Sequence, residues 1–98
     1  MTILPAVRDK LAAAGALART RGISSEYIAD LTFLDEQLHH FAKEWGDPMY
    51  DLDAAQLVVY RGLTDFLRVF YAVHLRESHV FVRNVELRHD RRLGRTRE

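Results

Sequence analysis

The sequence predicts an α+β fold in which an N-terminal two-helix hairpin packs on one face of a small antiparallel β-meander. Two patterns and their order carry that expectation. Between Phe66 and Leu75 the side chains alternate, with Leu67, Val69, Tyr71, Val73 and Leu75 on one face and Phe66, Arg68, Phe70, Ala72 and His74 on the other. That period of two belongs to a half-buried strand. Between Ile28 and Trp45 the period becomes helical, because Ile28, Leu31, Leu34, Leu38, Phe41 and Trp45 recur at steps of three and four residues. The helical signal precedes Gly46-Asp47-Pro48 and the strand signal follows it, so helices and strands are expected to form separate layers.

In chain order, Pro5 opens the first helix, where its missing donor costs nothing, and the alanine-rich run continues to Arg21 with Val7, Leu11, Ala14 and Ala18 along one side. Gly22 ends it, and Arg19 and Arg21 lie where cations favour the C-terminal end of the helix dipole. Ser24 or Ser25 caps the second helix, over 25–45, with Asp30, Asp35, Glu36, Gln37, His40, Lys43 and Glu44 on its solvent face. Residues 49–55 are the expected connection. Three strands follow at about 56–61, 66–75 and 79–88, the first closed by Gly62 and the last two separated by Arg76-Glu77-Ser78. Leu31, Leu34, Leu38, Phe41, Val69, Tyr71 and Val73 are the expected core, and the sheet face away from the helices stays partly open to water. Residues 89–98, with one large apolar residue and no periodicity, read as a basic tail.

Ninety-eight residues, 48% apolar and 29% charged, suit one domain with one core. There is no cysteine, hence no disulfide or thiol chemistry, and the first residues lack the apolar run of a secretory signal. Apolar runs are too short to span a bilayer, so a cytoplasmic protein with no membrane partner is expected. The zero net charge conceals a split. Residues 1–56 carry five basic against nine acidic side chains, whereas residues 57–98 carry nine arginines, no lysine and five acids. The guanidinium fork suits phosphate and carboxylate, so an anionic partner is expected on the second half.

No metal-ligand set, glycine-rich phosphate loop or nucleophile elbow is legible, and no cofactor is implied. His39 and His40 are helix neighbours that point about 100° apart, which prevents them from sharing a metal. His74 and His79 flank the polar turn and are expected at the surface. His89, beside Arg88, is the histidine placed to exchange a proton near neutral pH. A three-residue turn at 76–78 opposes Leu75 to His79, and therefore Arg68 to Glu86 and Phe66 to Arg88. Two readings of that register stand side by side: a cross-strand Arg68–Glu86 pair, and a one-sided arginine surface with Phe66, Phe70 and His74 for stacking on a single nucleic-acid strand. The same parity puts Arg83 with Phe81, Val85 and Leu87 on the core face, from which it must reach the rim or find a partner.

The two helices and the meander, with Val59-Tyr60-Arg61, Phe66-Leu67-Arg68-Val69-Phe70-Tyr71-Ala72-Val73, Val80-Phe81-Val82 and a closing Arg88, resemble the RelE/ParE toxin superfamily of bacterial type II toxin-antitoxin systems. The resemblance implies that Arg68 and Tyr71 stand in the family's Arg-x-x-Tyr strand, and that Arg61 and Arg88 match basic positions with which RelE-type members hold and cleave message. Arg83, Arg91 and Arg92 complete the expected RNA-binding set, and Arg68, Arg88 and His89 the expected catalytic set. The implied activity is ribosome-dependent mRNA endonuclease, inhibiting translation, with a cognate antitoxin protein as partner. ParE-like members act on DNA gyrase without cleaving RNA and are the alternative, as is a protein-interaction module without activity. The family's opening strand falls on Thr2-Ile3-Leu4, and Gly94 stands where RelE-type nucleases tend to carry a tyrosine.

Overall fold

The structure, a computed structural model, describes residues 1–77 and 79–88. In chain order it contains β1 (Thr2–Ile3), α1 (Pro5–Thr20), α2 (Ser24–His40), a one-turn α3 (Ala42–Trp45), β2 (Asp47–Leu52), β3 (Leu57–Leu63), β4 (Leu67–His74) and β5 (Val80–Leu87). The class is α+β, with two long helices. The sheet, however, exceeds the expected three strands. Five strands lie in the order β1-β5-β4-β3-β2, antiparallel from β2 to β5, with β1 parallel to β5 at the edge.

β2 occupies the stretch expected to be a connection. Five of its six residues are exposed, so this edge strand shows no alternation, and Pro48 is tolerated there because an edge can spare a donor. β3 continues through Gly62 to Leu63 instead of ending before the glycine. A Cβ at residue 62 would collide with the Trp45 ring, so Gly62 makes room for an aromatic side chain within the strand.

The helical pair is joined as expected. Gly22, at φ +72°, donates to the Arg19 carbonyl while Ile23 N donates to the Ala18 carbonyl at 2.9 Å, which closes α1 in a Schellman turn. α2 then doubles back along the small residues of α1: the Tyr27 ring lies over Gly15, and its hydroxyl donates to the Leu11 carbonyl at 2.8 Å.

The face that α2 buries differs from the apolar stripe. Tyr27, Asp30, Leu34 and Leu38 are buried and Leu31 is half-buried, whereas Ile28 and Phe41 are 61% and 50% exposed. Asp30, expected in solvent, is drawn inward by the turn between β3 and β4, and the helix rotates with it. α2 also stops at His40, because Phe41 (φ −135°, ψ 29°) leaves the helical region. The redirected turn α3 swings Trp45 onto the sheet. There Trp45 stacks on Tyr71 at 5.8 Å and Tyr71 stacks on Tyr60 at 5.3 Å between ring centres. The Tyr71 hydroxyl donates to the Ala42 carbonyl (2.7 Å) and accepts from Gly46 N (2.9 Å), so α3 is bonded to the middle of β4.

Leu67, Val69, Tyr71 and Val73 are buried under the helices with Val80, Val82 and Val85 of β5. Leu75, expected on this face, lies in the following turn and is 54% exposed.

Two measurements check this packing. Gly62→Ala forces a methyl group into the Trp45 ring and is expected to cost about 1–3 kcal/mol, read as a lower urea midpoint at unchanged slope. Burial, reinforced by the Asp30 carboxylate, pushes the Tyr27 phenol from 10.0 up to about 12, and burial raises Tyr71 as well. A phenol with the higher pKa in the folded state loses its proton first in the unfolded chain. Stability is therefore full below about pH 10 and falls as pH rises toward 12. Thermal melts between pH 8 and pH 12 are expected to show a shallower decline for Tyr27→Phe than for wild type; equal slopes would remove Tyr27 as a source of the alkaline loss.

Candidate nucleic-acid interface

The helices cover one face of the sheet, and the chemistry-bearing side chains stand on the other. Their placement follows from an irregularity in β5. Arg68 pairs with Glu86, Val69 with Val85 and Phe70 with Asn84, but then Tyr71 pairs with Val82, Ala72 with Phe81 and Val73 with Val80. Arg83 is the extra residue of a β-bulge. It reverses the parity of the strand, so Val80 and Val82 join the core while Phe81 and Arg83 turn outward.

The expected core placement of Arg83 is thus corrected by the bulge. The expected turn is corrected too, since His74 N donates to the His79 carbonyl and residue 75 no longer opposes residue 79. One residue gained in the turn is matched by one residue extruded at Arg83. Arg68 and Glu86 meet as counted because the two shifts cancel.

Phe70 is the centre of the open face. In register it is flanked by Arg61 on β3 and Asn84 on β5, with Arg68 and Ala72 two residues away along its own strand. Arg61 is exposed, between Asp47 and Phe70 in register. The Arg68 Nη1 atom lies 2.7 Å from Glu86 Oε1, a half-exposed pair of the kind worth about 0–1 kcal/mol. Arg83 Nη1 donates to the Tyr50 hydroxyl at 3.3 Å, reaching from β5 toward β2. Beneath that contact is a cavity of about 310 Å³ lined by Met49, Tyr50, Val59, Phe70, Arg83 and Asn84. Asn84 Oδ1 accepts from Lys10 Nζ at 2.6 Å.

The remaining sequence-predicted residues are placed differently. Arg88 N donates to the Phe66 carbonyl and Arg88 Nη1 to the Thr64 carbonyl at 2.6 Å, at the β3–β4 turn and away from Phe70. Phe66, expected on the open face, is buried and tilted against Tyr27 at 6.2 Å. Tyr71 lies in the core, opposite in facing to Arg68. His74 Nδ1 accepts from the backbone N–H groups of Arg76 and Glu77, closing the β4–β5 turn. His79 shares a 2.8 Å hydrogen bond with Thr2 Oγ1 and meets the Phe81 ring edge-on. Both histidines are half-buried. His89, Arg91 and Arg92 lie outside the described residues.

Sequence reasoning missed Tyr50, Asn84 and, above all, Asp30. Asp30 Oδ2 accepts from Thr64 Oγ1 (2.5 Å) and Phe66 N (3.2 Å), and Oδ1 accepts from Asp65 N (3.1 Å). Thr64 Oγ1 accepts in turn from Leu67 N at 3.0 Å. A carboxylate 7% exposed therefore holds the β3–β4 turn, to whose Thr64 carbonyl Arg88 also binds. The available signal was its position four residues before Leu34 and eight before Leu38, on the buried line of the helix.

Among the described residues, no three histidine, cysteine or acidic side chains come together as metal ligands, and no helix is long and apolar enough to cross a membrane. No protein-family model, curated protein or solved structure matches the chain.

Asp30→Ala removes the acceptor for one hydroxyl and two backbone N–H groups and is expected to cost about 2–4 kcal/mol, with Asp30→Asn costing less because one amide oxygen remains. Urea unfolding of the two variants checks this ranking. A loss below about 1 kcal/mol for Asp30→Ala would show that water replaces the carboxylate at the turn.

Proposed function

We propose that the chain is a RelE-like toxin of a type II toxin-antitoxin system, which inhibits translation by ribosome-dependent cleavage of mRNA and meets the message on its open sheet face. The observation that carries this reading is the half-buried ring of Phe70 set among Arg61, Arg68 and Arg83 on a face no helix covers. Guanidinium groups offer forked donors to phosphates while an aromatic ring offers a platform to a base, the combination that single-strand binding needs. Support also comes from β1: the family pattern opens with a strand before the first helix, and Thr2–Ile3 is such a strand.

In cleavage, a ribose 2′-hydroxyl gives up its proton to a base and attacks the adjacent phosphate. The P–O5′ bond breaks, the departing 5′-oxygen takes up a proton, a 2′,3′-cyclic phosphate remains, and the charge that builds on the phosphoryl oxygens is stabilised by positioned guanidinium donors. Arg68 is the cation nearest to Phe70 along the strand and is the first proposed donor, with Arg88 as the second. His89 is the proposed proton-transfer group. The cognate antitoxin is proposed to lie along β5, which β1 covers only at Phe81 and Val82. A groove of about 750 Å³, lined by Ala14, Leu17, Leu67, Val85 and Leu87 among others, adjoins the remainder of that edge and suits an added segment.

A second reading, a ParE-like inhibitor of DNA gyrase that cleaves nothing, is favoured by the engagement of Arg68 with Glu86 and of Arg88 with Thr64. Ribosome-programmed cleavage by wild type, Arg68→Ala and His89→Ala separates the two. The nuclease reading expects message cut by wild type and a loss of about 10²-fold or more in His89→Ala at nearly unchanged RNA binding. Arg61→Ala is expected to flatten the log–log salt dependence of single-strand RNA affinity by about 0.7. A wild type that leaves message intact and translation unslowed overturns the nuclease reading, and inhibition of gyrase supercoiling then assigns the second.

A further inference from the structure

We propose that the cavity between Phe70 and Tyr50 is a slot for a single unstacked nucleobase, with guanine preferred. The proposal rests on the reading of the open sheet face as a nucleic-acid surface and adds to it a site that reads the base itself.

The cavity has the shape and lining such a ligand requires. Its volume of about 310 Å³ is at the small end of ligand clefts, suited to one heterocycle and its immediate surroundings. Phe70 and Val59, diagonal neighbours on adjacent strands, form its apolar floor, and Tyr50, the register partner of Val59 on β2, stands at one side. Polar atoms converge from both ends: the Tyr50 hydroxyl from β2, and the Arg83 guanidinium and Asn84 amide from β5.

Arg83 and Tyr50 meet across the two strands that separate β5 from β2, three strand spacings or about 14 Å. Neither side chain covers that span alone, so both lean over Val59 and Phe70 and their hydrogen bond bridges the cavity. The bulge makes this possible, because without the extra residue Arg83 would point toward the helices. Lys10 Nζ occupies the Asn84 amide oxygen, which leaves the amide nitrogen as the donor for a ligand.

Guanidinium, amide nitrogen and phenol hydroxyl all donate, so an acceptor-rich base edge is favoured. Guanine presents O6 and N7 together, the pair that an arginine fork takes up bidentately, whereas adenine sets an amino donor beside its N7. A guanine entering the slot exchanges the single 3.3 Å Arg83–Tyr50 contact for two donors on its edge and stacking on Phe70.

The test uses the full chain and a five-nucleotide ribose-phosphate backbone that is abasic except at its centre, where it carries guanine, adenine or no base. All three ligands have the same phosphates, so fluorescence anisotropy isolates what the base contributes. The expected result is that guanine binds about fivefold or more tighter than the fully abasic ligand and tighter than adenine. Phe70→Leu and Tyr50→Phe should shrink the ratio of guanine to abasic affinity toward one; Tyr50 is half-exposed on an edge strand, so its variant keeps the fold. If all three ligands bind equally, the slot is overturned while the phosphate-binding face stands. If none binds, both fail. Deoxyribose versions identify the source: equal guanine preference assigns the slot to bases of either nucleic acid, loss of binding assigns it to RNA, and either supports the slot.

Discussion

The Asp30 carboxylate governs how helices and sheet fit together. A buried carboxylate is costly unless its oxygens are satisfied, and here the donors come from Thr64, Asp65 and Phe66, more than thirty residues away. α2 can seat only at the rotation and height that bring residue 30 to the β3–β4 turn. Tyr27, Leu34 and Leu38 are thereby inward, and Ile28 and Phe41 outward. The end of β5 joins the same knot, because Arg88 bonds to the Thr64 and Phe66 carbonyls. Helix, hairpin turn and the end of β5 thus meet at one polar junction within an otherwise apolar layer.

The second constraint is aromatic. Trp45, Tyr71 and Tyr60 form a column that only glycine at 62 accommodates, and glycine at 46 lets the backbone come within hydrogen-bonding distance of the Tyr71 hydroxyl. To deliver Trp45 to that column the helix breaks at Phe41, and the chain leaves α3 directly into β2. Tyr50 is thereby carried to the far face of the sheet beside Val59. Packing on the covered face therefore sets a side chain of the open face. The two faces of the sheet are coupled through the chain even though the helices pack on only one of them.

The open face collects charge from strands that alternate. Arg61 and Arg68 point outward because their neighbours in sequence point inward, so their shared facing follows from parity alone. Their electrostatic reach differs. Arg68 is balanced by Glu86, and Arg83 is spread over a cavity toward a neutral phenol. A segregation visible as acidic first half and arginine-rich second half is thus partly undone by local pairing, and the +4 balance of residues 57–98 overstates the positive character of the described strands.

The α+β class, both long helices, the three central strands and the buried set Leu34, Leu38, Val69, Tyr71 and Val73 are legible in the residue pattern. Each follows from local periodicity, since an element half-covered by another layer must repeat its apolar residues at its own period. The edge strands were illegible for the converse reason: β2 is exposed on both faces and β1 is two residues long, so neither imposes a pattern. The rotation of α2, the outward turn of Arg83 and the meeting of Arg83 with Tyr50 come from long-range packing. A bulge is one inserted residue with no sequence mark of its own, and an aspartate on an apolar stripe reads as solvent-facing until its distant donors are known. These features depend on contacts between residues far apart in the chain, which periodicity, a property of neighbours, does not contain.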